Sequence, residues 1–339
     1  VTVSAVTMIG GATGVLTVPT GAWTIAGSWN TTGAGSTWNA GTTSTYTFTA
    51  TGTIATLPIQ STFPALTVTG GTVTLANDVT ITNALSLTGG VLAKGTNALA
   101  AASLALGGGS LTSTSGGVAI GGSVSITSPA SYIAFGSETW TVAGTWTNAS
   151  TSASWSPGTG TAAFTSVVGG AMTFAALPGG AAEFNNVTFN SGASTATFSL
   201  LANALVWAGA LTVQGGAGTT TLASGGLGLT GGALTIGNSG VLNAGASPVA
   251  VSTVSMTGGT SGTLTVTSGS WTVSGNWDTS GIGSTLASGT STLTFTGASA
   301  TIRLAPGQAF YNLSINGTIS LASAVTANAT LAVNNGAVL

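Results

Sequence analysis

The sequence predicts an all-β fold, a right-handed parallel β-solenoid (β-helix) of short strands, and three observations carry that expectation. The first is period. Between Leu66 and Leu92 apolar residues alternate with Thr or Ser in short bursts: Val73 and Leu75 flank Thr74, Val79 and Ile81 flank Thr80, Leu85 and Leu87 flank Ser86. A period of two is that of a strand with one face buried, and β-branched residues favour it. The second is spacing. The bursts begin near positions 66, 73, 79, 85 and 91, which leaves room for about four strand residues and a tight turn each. The third is repetition at long range. A shift of 248 positions carries Val1 onto Val249, Met8 onto Met256, Trp23 onto Trp271 and Trp29 onto Trp277. Self-similarity at a fixed period describes a stack of units, each burying the face of its neighbour.

Taken in order, the chain reads as one continuous solenoid, residues 1–339, of three imperfect repeats, about 1–117, 118–248 and 249–339. Each repeat opens with strand-like residues and then an aromatic stretch: AWTIAGSWNTTGAGSTWNAG from Ala22, TWTVAGTWTNASTSASWSPG from Thr139 and SWTVSGNWDTSGIGSTLASG from Ser270. Its structural aromatic positions are Trp23, Trp29 and Trp38, then Trp140, Trp146 and Trp155, then Trp271 and Trp277, with Leu286 in place of a third Trp. Phe48, Phe164 and Phe295 follow, then FPALTV, FNNVTF and FYNLSI from Phe63, Phe184 and Phe310. The middle copy is longer between its two Phe positions, so 167–180 is expected to protrude. Three strands should complete a coil of about 19–21 residues, stacked on the next at about 4.8 Å. Gly-Gly, Asn-Asp and Asn-Ala occupy the turns, and the density of Gly and β-branched residues disfavours helix throughout.

Charge is almost absent. The basic residues are Lys94 and Arg303, the acidic ones Asp78, Glu138, Glu183 and Asp278, and His and Cys do not occur. Charged side chains make up 2% of the chain, against about 25% in ordinary globular domains, while 43% is hydrophobic. Two cations cannot hold a nucleic acid. Without Cys there is neither disulfide nor thiolate metal site, and no cofactor is expected. Mean hydropathy is +0.55, yet no apolar run reaches the 18 or so residues of a membrane-spanning helix. The apolar runs are also too short for the ten-residue segments of a transmembrane barrel. So little charge suits an extracellular material that associates better than a dispersed cytosolic protein. The chain opens at Val1 without a signal pattern and reads as a mature product or an excised piece. With few groups to titrate, thermal melts between pH 3 and pH 9 are expected nearly to coincide.

The pattern W-T-V-x-G-x-W, followed by F-x-N-L-T-I and G-G-x-V-T-L, resembles repeats in large secreted surface proteins of bacteria and archaea. More loosely, it is similar to the parallel β-helices of filamentous-haemagglutinin-type adhesins. The resemblance covers nearly the whole chain. It implies a right-handed β-helix at the cell surface, in an extracellular filament, adhesin or surface layer.

Each candidate site has two readings. The Trp residues either form a platform for surface glycans or fill the coil interior, and their T-W-T-V setting follows the strand alternation. Asp78 and Asp278, beside Asn77 and Asn276, either begin a calcium site or cap turns; one carboxylate per place is too few for calcium. Asp78 and Glu138 lie about three coils apart, too far for the paired carboxylates of polysaccharide cleavage, so no enzyme is expected. Thr72, Thr74, Thr80 and Thr82 suggest an ice-binding ladder, which would have to recur on one face in every coil; Thr is also simply a strand former. The reading favoured overall is a structural subunit that polymerises head to tail with its own kind. Its candidate edges are Val1, Val3 and Val6 at one end and Leu331, Val333 and Leu339 at the other. A carbohydrate- or ice-binding module is the alternative.

Overall fold

The computed structural model describes residues 1–8, 14–18, 20–256 and 262–339. They divide into two compact units. One is Val1–Thr161 with Ala175–Gly179; the other is Ala162–Phe174 with Gly180–Leu339. Each is a parallel β-solenoid.

In the first unit three strands complete a coil, and each pairs in parallel with its counterpart one coil on. One row runs through Ala22–Ile25, Thr45–Phe48 and Ala65–Val68 into the later halves of Val79–Leu87 and Leu99–Leu106, then Val124–Ile126 and Trp146–Asn148. A second row holds Trp29–Thr31, Gly52–Thr56, Thr72–Leu75, Val91–Gly95, Ser110–Ser113 and Tyr132–Ala134. The third includes Thr62–Phe63, the early halves of Val79–Leu87 and Leu99–Leu106, Val118–Ile120 and Thr139–Val142. Val79–Leu87 and Leu99–Leu106 each serve two rows, because the chain turns a corner at a register shift between Ile81 and Ala84. The sequence suggested separate strands there.

Period two sets what is buried. Trp23, Tyr46, Leu66, Leu85, Leu104, Val124 and Trp146 lie one above another, and all but the half-buried Trp23 are fully enclosed. Burying each such aliphatic side chain contributes about 1.5–3 kcal/mol. The second unit repeats the device, with Val249, Trp271, Leu293 and Leu313 in one column and Val187, Leu211, Leu234, Val254, Trp277 and Ile302 in another. Close stacking of the turns demands glycine at particular points. A Cβ on Gly144 would lie 2.4 Å from the Gly122 carbonyl carbon, and Gly71 adopts φ +64° with Thr51 N 2.3 Å from where its Cβ would be.

Two expectations need correction. Coils match the expected length in places: Leu66, Leu85 and Leu104 are 19 residues apart, and Tyr46 to Leu66 and Leu293 to Leu313 take 20. Trp29 to Ile54, and Trp277 to Ile302, take 25. There the chain makes additional turns around Thr32–Ser36 and Ser280–Ser284. Nor does 167–180 protrude as a whole. Gly169–Thr173 is a strand paired with Ala196–Ala202, and it buries Met172, with Phe174 beyond it; Val167 and Val168 alone of its large apolar side chains are exposed. Placing Met172 and Phe174 two residues apart puts both on the inner face.

The aromatic stretches occupy different faces in different copies. Trp23 and Trp29 stand on the first and second rows, whereas Trp140 and Trp146 stand on the third and first. The distance between the copies is not a whole number of three-strand coils.

Candidate functional site

The Trp residues are core. Trp29, Trp38, Trp140, Trp146, Trp155, Trp271 and Trp277 are buried and Trp23 is half-buried. In the first unit Trp29 and Trp38 pack 5.0 Å apart between ring centroids, and Trp38 meets Phe63 at 4.5 Å and Tyr46 at 5.6 Å. Phe135 lies 4.9 Å from Trp140 and 5.9 Å from Trp155. In the second unit Trp277 lies between Trp271 at 5.9 Å and Phe310 at 5.4 Å. Such pairs are worth about 0.5–1.5 kcal/mol beyond the area they bury. Seven of the eight repeat indoles are thereby closed to a sugar ring.

The acidic turns bind backbone. Asp78 Oδ1 accepts from Ala98 N at 2.7 Å, tying one coil to the next, and Asn77 Oδ1 accepts from Thr56 N at 2.8 Å. Asp278 Oδ1 accepts from Ser280 N at 2.9 Å and from its hydroxyl at 2.6 Å, a local Asx turn. The rank of Val79 runs through Leu99 and Val118 to Trp140, so Asp78 and Glu138 are three coils apart, about 14 Å at the strand spacing. Among the described residues no three His, Cys, Asp or Glu side chains gather as metal ligands would.

Lys94 and Glu138, two charged side chains of the first unit, lie buried near one corner that the sequence reading passed over. Lys94 has no exposed surface. It follows Leu92 at period two on Val91–Gly95 and so points inward, next to a register shift between Ala93 and Gly95. Its ammonium donates to Asn97 O at 2.7 Å, Gly116 O at 2.8 Å and Ser115 O, which are carbonyls of two stacked turns. Asn97 Nδ2 in turn donates to Leu75 O at 2.7 Å, one coil the other way. Glu138, 6% exposed, lies two coils beyond Lys94. Its carboxylate accepts from Trp140 Nε1 at 2.8 Å, from Gly136 N at 3.1 and 3.2 Å, and from the Ser113 hydroxyl.

The electrostatics follow from these partners. Burial pushes the Lys94 ammonium below its ordinary value, and the charges of Glu138 and Asp78 oppose that only in part. Burial pushes the Glu138 carboxyl up, but Ser113, Trp140 and the amides of Glu138 and Gly136 outweigh it, so its pKa falls. Neither group can reach a substrate. The ammonium is enclosed by carbonyls and the carboxylate is surrounded by donors, so the chemistry available here is to bind stacked turns together. The alternation already pointed to both residues, since Lys94 shares the phase of Leu92, and Glu138 that of Trp140. Their charge argued against reading it so.

Of the candidate edges, Val1 is exposed and Val3 and Val6 are half-buried; Leu331, Val333 and Leu339 are exposed. The Thr residues singled out in the sequence do not continue as ladders. Thr74 stacks on Ala93, Thr72 on Val91, and Thr80 on Ala100 and then Ala119. No helix among the described residues is long and apolar enough to cross a membrane.

No protein-family model, curated protein or solved structure matches this chain.

Proposed function

We propose that this protein is structural: a subunit or segment of an extracellular filament, adhesin or cell-surface layer, non-enzymatic, built to extend by stacking coil on coil. The observation that supports this reading is that one parallel ladder with continuous inner columns recurs through each unit. The Trp23-to-Trp146 column is an example. Repetition of this kind yields length and stiffness, and the near absence of surface charge removes the repulsion that keeps such edges apart.

Extension needs no new chemistry. A strand that pairs with the outer edge of Ala327–Val333 would cover Leu331 and Val333, whether it belongs to this chain or to another. Addition to the Thr2–Val3 edge would cover Val1, Val3 and Val6 in the same way. A heterologous contact between two such edges does not close on itself, so it grows a filament.

Electron microscopy of the purified protein tests this. Filaments many molecules long are the expected result, and a Val3→Lys, Val6→Lys variant should give short rods. Parent protein that stays as single particles at high concentration, or variant filaments as long as the parent's, would overturn head-to-tail stacking.

A further inference from the structure

The register places hydroxyls on one face of the first unit that no short stretch of sequence exhibits. On the outer side of the first row, Thr24, Thr47, Thr67, Ser86, Ser125 and Thr147 form a single rank, interrupted once by Ala105. Two residues along each strand a second rank runs beside it, through Thr49, Thr69, Thr88 and Thr127, interrupted once by Gly107 in the same coil as Ala105 and ending on Ala149. The other two outer faces differ. Their ranks read Thr53, Thr74, Ala93, Thr112, Ala134 and Thr62, Thr80, Ala100, Ala119, Thr141, so each is broken by two alanines in five positions. Strand preference alone would distribute Thr over all three faces alike. The unit's charged side chains also avoid the hydroxyl face: Lys94 and Glu138 are buried and Asp78 sits in a turn.

We infer that this face binds ice. The array repeats in two directions, about 4.7–4.9 Å between strands and about 6.6–6.8 Å between alternate residues of one strand. In tetrahedral water with hydrogen bonds of about 2.75 Å, second-neighbour oxygens lie about 4.5 Å apart and layers repeat at about 7.3 Å. The two nets agree within about a tenth. Three of the hydroxyls are also oriented by backbone carbonyls. Thr69 Oγ1 donates to Phe48 O at 3.2 Å, and Thr49 and Thr127 donate to Ile25 O and Leu106 O at 3.4 Å. These long contacts favour one rotamer at three positions and leave the oxygen free to accept, which lowers the side-chain freedom lost there on binding. A charge would order water around itself and break such a lattice. A crystalline polysaccharide is the other extended solid with regular hydroxyls, but sugar faces are held by exposed aromatic rings. Here the rings are inside.

The test is partition of the purified protein into a slowly growing ice shell, with inhibition of ice recrystallisation as a second readout. Parent protein should enter the ice well above serum albumin and restrain recrystallisation. Thr47→Lys with Thr67→Lys should lose at least ten-fold in both, while Thr53→Lys with Thr74→Lys, on another face, should not. If the first pair fails to fold, Thr69→Val with Thr127→Val removes two hydroxyls from the same face and should weaken both readouts. Partition of the parent no better than albumin would overturn the inference, as would equal loss in the two lysine pairs. Binding to insoluble cellulose or chitin without binding to ice, lost by the first pair, would make the face a polysaccharide surface instead. The inference does not rest on filament formation: particles that bind ice but never polymerise would overturn the stacking proposal alone.

Discussion

Replacing Lys94 by Met tests whether the buried corner holds the coils together. The substitution keeps most of the stem and removes the ammonium. It leaves the carbonyls of Asn97, Ser115 and Gly116 without that donor. A buried acceptor left unpaired costs about 1–3 kcal/mol. Three of them come to about 3–9 kcal/mol. Relief of the desolvated ammonium works the other way, as the depressed pKa of Lys94 attests. Because the carbonyls stay buried and fixed in turn backbone, the loss outweighs the relief, and a net destabilisation of about 3 kcal/mol is expected. That is a large fraction of the roughly 5–15 kcal/mol that holds a typical domain. Urea titration at pH 7, followed by the fluorescence of the buried tryptophans, should show an earlier midpoint. Lys94→Ala should be at least as unstable and should recover in part with millimolar methylammonium, which can reoccupy the carbonyls. A Lys94→Met protein within 0.5 kcal/mol of the parent, or more stable than it, would refute the reasoning and show that the cage only accommodates a misplaced charge.

Four further outcomes follow from the same geometry. Acid should destabilise the first unit, contrary to the near pH-independence expected from composition: Glu138 has a lowered folded pKa, so its contribution is present above the unfolded value of about 4.3 and is lost as pH falls. Melts from pH 6 to pH 2 should move downward, and Glu138→Gln should flatten that slope. On the alkaline side Lys94 holds fewer protons folded than unfolded, so its contribution should favour folding as pH rises toward about 10.4, and Lys94→Met should remove that rise. Leu85→Ala, at a fully enclosed position between Leu66 and Leu104, should cost about 2–5 kcal/mol by denaturant titration. Gly144→Ala should cost about 1–3 kcal/mol or more, since its Cβ would meet the backbone of Gly122, whereas Gly179→Ala, in open space, should pay only for its φ of +68°.

Much of this architecture is local and can be read from the chain alone. Alternation around Thr74, Thr80 and Ser86 specifies strands and their inner faces, because successive side chains on a strand must point to opposite sides. The inward phase of Trp29, Trp140 and Trp271 follows for the same reason, and so, in retrospect, does that of Lys94 and Glu138. Other features depend on which residue lies one coil away, and that is a sum over every turn in between. An insertion of a few residues at the Thr32–Ser36 corner lengthens a coil to 25 residues without altering any strand. The number of strands between aromatic copies then decides that Trp23 and Trp140 stand on different rows. Hence Thr74 and Thr80, regular in sequence, stack on Ala93 and Ala100, while Thr47, Thr67 and Ser86, less conspicuous, fall into rank. The partners of the Lys94 ammonium come from turns about twenty residues apart, brought to hydrogen-bond distance only by the strand spacing. Strands, inner faces and repetition are properties of neighbouring residues. Only the stacked structure decided rows, ranks and the buried corner, since these depend on the accumulated length of whole coils.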